Sequence, residues 1–246
     1  MSFEVAGEKY DRFMGRYSRA LAPAFIAFAR PSGPVLDIGC GPGPLTSELA
    51  KTFEVSAVDP SQAFVAACRA RVPNADVRVA PGETLPFADG SFGASMSQLV
   101  LSFVRDPDTF AAESRRVVRP GGVVAACMWE ADGLGLVTPF WAAARALDAN
   151  APDESRMRFR TAGELEELWR GAGVRDVEVA TIECSSEYAG FDDYWEPFTY
   201  GIGPAGTYLM ALPEEVREAL REETRDRLPK GPLTIVARAV AVRGHA

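Results

Sequence analysis

The stretch Val35-Leu36-Asp37-Ile38-Gly39-Cys40-Gly41-Pro42-Gly43 decides the fold. Its first half reads as a buried strand over residues 34–38 that carries an acid near its end. Glycines then follow at alternate positions, and Pro44 opens a helix over residues 44–51. Alternate glycines allow a tight turn and let the backbone approach a ligand without side-chain clash. The spacing is G-x-G-x-G, not the G-x-G-x-x-G of a dinucleotide site. Pro42 and Pro44 also remove two backbone donors that a pyrophosphate on a helix N-terminus would use. The stretch therefore suits a nucleoside-type ligand, with a purely structural turn as the alternative.

Working outward, residues 54–58 form a second strand, and Asp59 stands at its end, 20 residues beyond Gly39. A carboxylate there accepts hydrogen bonds from both hydroxyls of a ribose, or caps the helix over 61–70 that follows Pro60. Short strands are expected over 76–79, 93–100 and 123–129, with a helix over 107–118 capped by Asp106. Strands alternating with helices argue a parallel sheet covered on both faces. Upstream, Tyr10, Phe13, Met14, Tyr17, Leu21, Phe25 and Phe28 fall on one helical face. Pro23 predicts a kink or two helical pieces. Downstream, Thr161 and Glu164 form a capping box that opens a helix to about residue 170. Two more strands follow over 174–182 and 233–242. The segment between them is too long for a hairpin loop.

Composition narrows the function. The chain has 246 residues, and 26 Lys+Arg against 34 Asp+Glu give a net charge of −8. That balance lacks the basic footprint that holds a phosphate backbone, so no nucleic-acid partner is expected. The longest helix-like apolar run, residues 20–29, contains Pro23 and is half the roughly 20 residues a membrane span needs. Residues 1–10 carry no signal-peptide pattern, and Cys40, Cys68, Cys127 and Cys184 have no metal or redox spacing. A cytoplasmic location and no metal are expected. The single histidine, His245, stands beside the C-terminus, which argues against Ser-His-Asp, Cys-His and His-metal chemistry.

Two further stretches, Pro81-Gly82-Glu83-Thr84-Leu85-Pro86-Phe87 and Arg119-Pro120-Gly121-Gly122, complete an ordered set of motifs. With them the chain resembles the class I S-adenosylmethionine-dependent methyltransferases, most closely the small-molecule group that includes ubiquinone/menaquinone methyltransferases. The resemblance covers about residues 10–130. It implies an α/β fold: a doubly wound, Rossmann-like, seven-stranded and mostly parallel sheet, last strand antiparallel, with a helical cap. The opening Tyr10-Asp11-Arg12-Phe13-Met14-Gly15-Arg16-Tyr17 resembles the helix that closes over the cofactor in many bacterial members. The chain then divides into an N-terminal helical lid (1–30), a cofactor-binding core (31–131), a cap segment (132–160), continued core (161–186), a cap insertion (187–230), and the last strand and tail (231–246).

Carried over by that resemblance, Asp37, Gly39, Cys40, Gly41 and Gly43 border the methionine end of S-adenosylmethionine, and Asp59 with Pro60 lies at the ribose. Gly82 and Glu83 face the adenine, and Gln98 sits beside the methionine end. Tyr10 and Tyr17 are either lid contacts or aromatics of the core stripe. Family members often have an acid where this chain has Pro81, so adenine recognition is expected to rest on backbone at Gly82 or on Glu83. The expected product is S-adenosylhomocysteine.

Methyl transfer is an in-line displacement from a sulfonium with a neutral leaving group, and orientation alone supplies about 7–11 kcal/mol of the barrier in favourable cases. A base is needed only if the acceptor arrives protonated. Glu130 is the candidate, with a solvated loop acid as the alternative. A phenolate, enolate carbon or free amine would need none. No Asn-Pro-Pro-Tyr tetrapeptide occurs. Phe103, Trp129, Trp141, Trp195, Phe198 and Tyr200 either line a pocket for a small, partly apolar acceptor or pack the cap. Two rival readings stand beside this one: an NAD(P)-binding Rossmann oxidoreductase, and a cofactor-binding module without catalysis. The first lacks its glycine fingerprint and a Tyr-x-x-x-Lys pair, the only lysines being Lys9, Lys51 and Lys230.

Overall fold

The computed structural model describes residues 7–152, 154 and 157–246. Seven strands form one sheet: β1 (Val35–Ile38), β2 (Val55–Asp59), β3 (Asp76–Val79), β4 (Phe92–Gln98), β5 (Val118–Leu134), β6 (Arg175–Tyr188) and β7 (Leu233–His245). Their order is β3-β2-β1-β4-β5-β7-β6. The first five run parallel, whereas β7 is antiparallel to both β5 and β6. Every residue of β1 and β4 is buried. Central parallel strands are covered on both faces, which is why β1 is apolar at every position but Asp37. From Leu233 to Ala239, β7 instead alternates buried and exposed residues, one side chain toward the core and the next away from it.

Among the described residues, ten α-helices accompany the sheet: α1 (Gly7–Arg12), α2 (Met14–Ala29), α3 (Pro44–Leu49), α4 (Gln62–Arg71), α5 (Pro107–Arg116), α6 (Thr138–Leu147), α7 (Ala162–Gly171), α8 (Phe191–Trp195), α9 (Gly203–Ala211) and α10 (Glu214–Arg225). One core layer joins α2, the cap and one sheet face, through Leu21, Phe25, Met96 and Ala125. A second lies under α5 and α7, around Phe110, Trp169 and Val124. The Trp169 indole donates to the carbonyl of Val124 at 3.0 Å and ties α7 to β5.

Three local expectations change. The helical break falls at Phe13, not at Pro23, which lies inside α2. Leu21, Ala22 and Phe25 beside Pro23 are fully buried. Burial of each large apolar side chain stabilises by about 1.5–3 kcal/mol, enough to offset the roughly 3 kcal/mol that an interior proline costs. Phe13 leaves the helical path, and its ring packs edge-on against Phe198 with centroids 5.3 Å apart. Strands β6 and β7 also run past 182 and 242, because they pair with each other from Arg175↔His245 to Tyr188↔Leu233. The polar residues Ser185, Ser186 and Glu187 give no strand signal alone; the partner strand supplies their ladder. The expected strand over 123–129 likewise extends to Val118–Leu134, since Phe92 pairs with Val118 and β7 follows β5 as far as Leu134.

The cap is built from α6 and α8–α10 around aromatic rings. Phe140 stacks on Phe198 at 4.9 Å, and the Tyr194 hydroxyl donates to the carbonyl of Leu136 at 2.7 Å. The charged helix α10 packs on α6 through Leu220 and leaves its ion pairs, such as Arg227 with Glu223 at 2.8 Å, toward solvent.

Candidate active site

The C-terminal ends of β1, β2 and β4 converge on one cleft. Beyond β1 the chain turns over β2, with the amides of Gly39 and Cys40 both donating to the carbonyl of Val58 at 2.8 and 2.9 Å. Gly39 has φ +79°, and a Cβ there would lie 2.5 Å from Val100 Cγ2. A side chain at that position would collide with the stiff, branched Val100 and be strained as well. Gly41, at φ +53°, has nothing within 4 Å of a Cβ, so the loop presents bare backbone to open space. Cys40 is buried, its thiol directed at the carbonyl of Gly41 at 3.5 Å.

Two carboxylates border this loop. Asp59 ends β2 and accepts from the amide of Gly41 at 2.9 Å on Oδ2 and from that of Ser61 at 2.8 Å on Oδ1. Burial raises its pKa, and the two backbone bonds hold the shift back. Pro60 carries the chain into Ser61, the side-chain cap of α4. Asp37 accepts from Thr46 Oγ1 at 2.6 Å on Oδ2, while its Oδ1 is buried without a partner. Burial pushes its pKa up to about 7, opposed by the Thr46 bond and reinforced by the nearby Asp59. Gln98, ending β4, donates to the carbonyl of Ser18 at 2.9 Å and so ties α2 to the cleft; its Oε1 is also buried and unpartnered. Buried acceptors without donors are uncommon and mark a place where something else donates. Farther along, Glu83 accepts from the amide of Arg105 at 3.2 Å, and Gly82 lies where a Cβ would strike the Phe110 ring at 2.3 Å.

A model of the methyltransferase domain matches residues 36–126, which hold all of these groups except α2. Over 183 residues the chain is 30% identical to the malonyl-[acyl-carrier protein] O-methyltransferase of Pseudescherichia vulneris, covering 73% of this chain and 71% of that one. The chain belongs to the class I S-adenosylmethionine-dependent methyltransferases. This sets aside the NAD(P) oxidoreductase reading. Among solved structures, a methyltransferase of Bacillus halodurans matches with a TM-score of 0.59 at 15% identity, over 91% of this chain and 97% of that one. Phosphoethanolamine N-methyltransferase 2 of Haemonchus contortus, solved with phosphomonomethylethanolamine and S-adenosylhomocysteine, matches with a TM-score of 0.57 at 16% identity, over 98% and 60%. At such identities they share the fold. The chain spans 39–50% of the length of the first curated relatives it matches.

An apolar cavity of about 90 Å³ lies between the ends of β4 and β5, the start of α2 and the cap. Phe103 and Trp129, two of the six candidate acceptor aromatics, line it. The others stand elsewhere. Trp195 and Phe198 pack around Phe140 inside the cap, and Trp141 there donates from Nε1 to Glu154 at 3.2 Å. Tyr200 binds Glu196 and Arg12 near the surface. The spacing of aromatics reports apolarity but not which face of the cap they fill.

The lid tyrosines and Glu130 also resolve. Tyr10 lies on α1, but its side chain is outside the described residues. Tyr17 is fully buried, edge-on to Trp129 at 6.2 Å, with its hydroxyl 3.1 Å from that of Tyr188. It belongs to the packing of α2 on the sheet. Glu130 is paired with Arg238 at 2.8 Å and borders a separate open depression over β6 and β7. His245 Nδ1 contacts the carbonyl of Gly121 at 3.2 Å, and His245 pairs with Val123 in the first half of β5, toward the end of the sheet opposite the cleft.

Sequence reasoning missed the cavity residues Met14, Leu99, Met157, Arg160 and Ile202. Only Met14 carried a signal, at the front of the apolar stripe. Leu99 has φ +65°, a left-handed conformation that costs a branched residue of order 1 kcal/mol; its amide is fixed by the carbonyl of Cys127 at 2.8 Å. Nothing in the local sequence announces that strain.

Proposed function

We propose that this methyltransferase moves the methyl group of S-adenosylmethionine to a small, partly apolar acceptor held in the cavity between the ends of β4 and β5. The observation that carries the reading is that cavity, walled by Phe103, Trp129 and Leu99, the residue that follows Gln98 in the chain. When bound, the cofactor supplies a methyl on a positively charged sulfur, which an acceptor lone pair takes in line as neutral S-adenosylhomocysteine leaves.

The residues present suit that cofactor. Each oxygen of Asp59 accepts one backbone donor and keeps a lone pair for a ribose hydroxyl. Asp37 Oδ1 and Gln98 Oε1 are unpartnered acceptors suited to the methionine ammonium. A cation beside Asp37 favours its ionised form against the upward push of burial. Bare backbone at Gly41 leaves room for the methionine chain. With Pro81 in the adenine loop, the adenine is met by backbone at Gly82 and by the Glu83 oxygen that Arg105 leaves available.

The protein orients the acceptor and excludes water from it, and no histidine takes part. Neither carboxylate near the cavity is poised as a base: Glu130 pairs with Arg238, and Glu154 accepts from Trp141. An acceptor already bearing a lone pair, as an anion or free amine, fits this arrangement. The net charge of −8 argues against a nucleic-acid acceptor. No described helix is long and apolar enough to cross a membrane, and the four cysteines are free and buried, which suits the cytoplasm.

The test is a thermal-shift comparison of S-adenosylhomocysteine, S-adenosylmethionine and NAD(P)⁺, followed by calorimetry. Ligand at 100 times Kd stabilises by about 2.7 kcal/mol, which raises Tm by roughly 5–10 °C in a chain of this length. A shift with the two sulfur nucleosides alone is expected. A shift with NAD(P)⁺ alone, or with none of them, overturns the proposal.

A further inference from the structure

The cavity wall holds two groups that its apolar character does not explain, Arg160 and Glu154. Arg160 is 8% exposed and lies between the cavity and the open depression beside Glu130, lining both. Its position is set by the N-terminal cap of α7, where Glu164 accepts from its backbone amide at 3.1 Å. Its Nη1 donates to the carbonyl of Glu154 at 2.8 Å and its Nη2 to that of Glu130 at 3.1 Å, while Nε is buried without a partner. No carboxylate forms an ion pair with it among the described residues. The nearby Glu130 carboxylate is taken by Arg238, and the one acid on the cavity wall, Glu154, accepts from the Trp141 indole. Two of five guanidinium donors are thus used, both by neutral carbonyls. A buried cation without a counter-charge is unfavourable unless an anion joins it.

We infer that the acceptor is an apolar molecule carrying a carboxylate, and that Arg160 binds this carboxylate while Trp129, Phe103 and Ile202 enclose the remainder. The inference rests on the reading of the cavity as the acceptor site. The two oxygens of a carboxylate match the guanidinium fork, and its charge is opposite to that of Arg160. Arg160 shares the cavity wall with Trp129 of β5, so the carboxylate fixes the orientation of the acceptor in the cavity. An acceptor with an ammonium at that end would instead meet the like charge of Arg160. Arg160 acts here as a specificity residue.

Hexanoate and phenylacetate, each paired with its neutral amide, are the probes. Each is titrated calorimetrically into the protein saturated with S-adenosylhomocysteine. The acids are expected to bind about tenfold or more tightly than the amides, the size of a hydrogen bond to a charged group. R160Q is expected to abolish that preference, and R160K to keep part of it. The wild-type comparison stands even if R160Q does not fold. Equal binding of acids and amides, binding of neither, or a preference that survives in folded R160Q overturns the inference. If S-adenosylhomocysteine itself does not bind, the proposed function fails separately; the acid–amide comparison is then made on the free protein, with the same outcomes.

Discussion

Asp59 and Asp37 lie close together at the same cleft, yet their environments set them different tasks. Asp59 is held by two backbone amides, so its oxygens are oriented before any ligand arrives. Asp59→Ala is expected to weaken S-adenosylhomocysteine binding by about 1.5–3 kcal/mol, roughly 10–100-fold; an unchanged calorimetric Kd would remove it from the site. Asp37 is buried with one oxygen unpartnered, and its pKa is pushed up to about 7 from an ordinary 3.8. Between those values the folded chain holds a proton that the unfolded chain has lost. The contribution to stability is therefore complete below about pH 4 and is lost as pH rises through about 7. Burial also raises the pKa of Asp59, so that group acts in the same direction. Between pH 5 and pH 8 the free protein is expected to lose more Tm than Asp37→Asn does, and parallel profiles would mean that Asp37 stays ionised. Of these two residues the sequence announced the positions, at the ends of apolar runs; it gave no sign of the orphaned oxygen, because burial and the Thr46 contact are set by tertiary packing.

At the scale of elements, the site depends on joints more than on lengths. Gln98 joins β4 to α2, and the cap of α7 positions Arg160. The capping box was legible because its two residues stand three apart in the chain. Thr161 Oγ1 accepts from the amide of Glu164, whose carboxylate in turn accepts from the amides of Phe159, Arg160 and Thr161. Thr161→Ala is expected to cost about 1 kcal/mol in urea unfolding; no change in the midpoint would mean that Glu164 alone holds this turn. The break in the N-terminal helix was misread, because proline is a local signal whereas the burial of Leu21, Ala22 and Phe25 around it is not. For the same reason β6 and β7 outrun their sequence signals, since their ends are stabilised by each other.

Across the whole molecule, the sheet separates chemistry from the only histidine. His245 lies beside the first half of β5 and the cleft at the ends of β1, β2 and β4, because β7 is antiparallel to β5. His245→Ala is expected to leave kcat within about twofold, as surface substitutions away from special features usually change little; a large fall would mean that the tail reaches the cleft. The alternation of strands and helices, the glycine turn, the acid ending β2 and the family resemblance were all present in the sequence by itself, because each rests on residues that are neighbours in the chain. Only the tertiary structure decided which aromatics face the cavity, that Tyr17 packs in the core, that Glu130 turns to Arg238, and that Arg160 is buried without an acid. Those facts depend on which faces of the cap, α2 and β5 meet. That choice is made by burial over long sequence separations, and no local pattern records it.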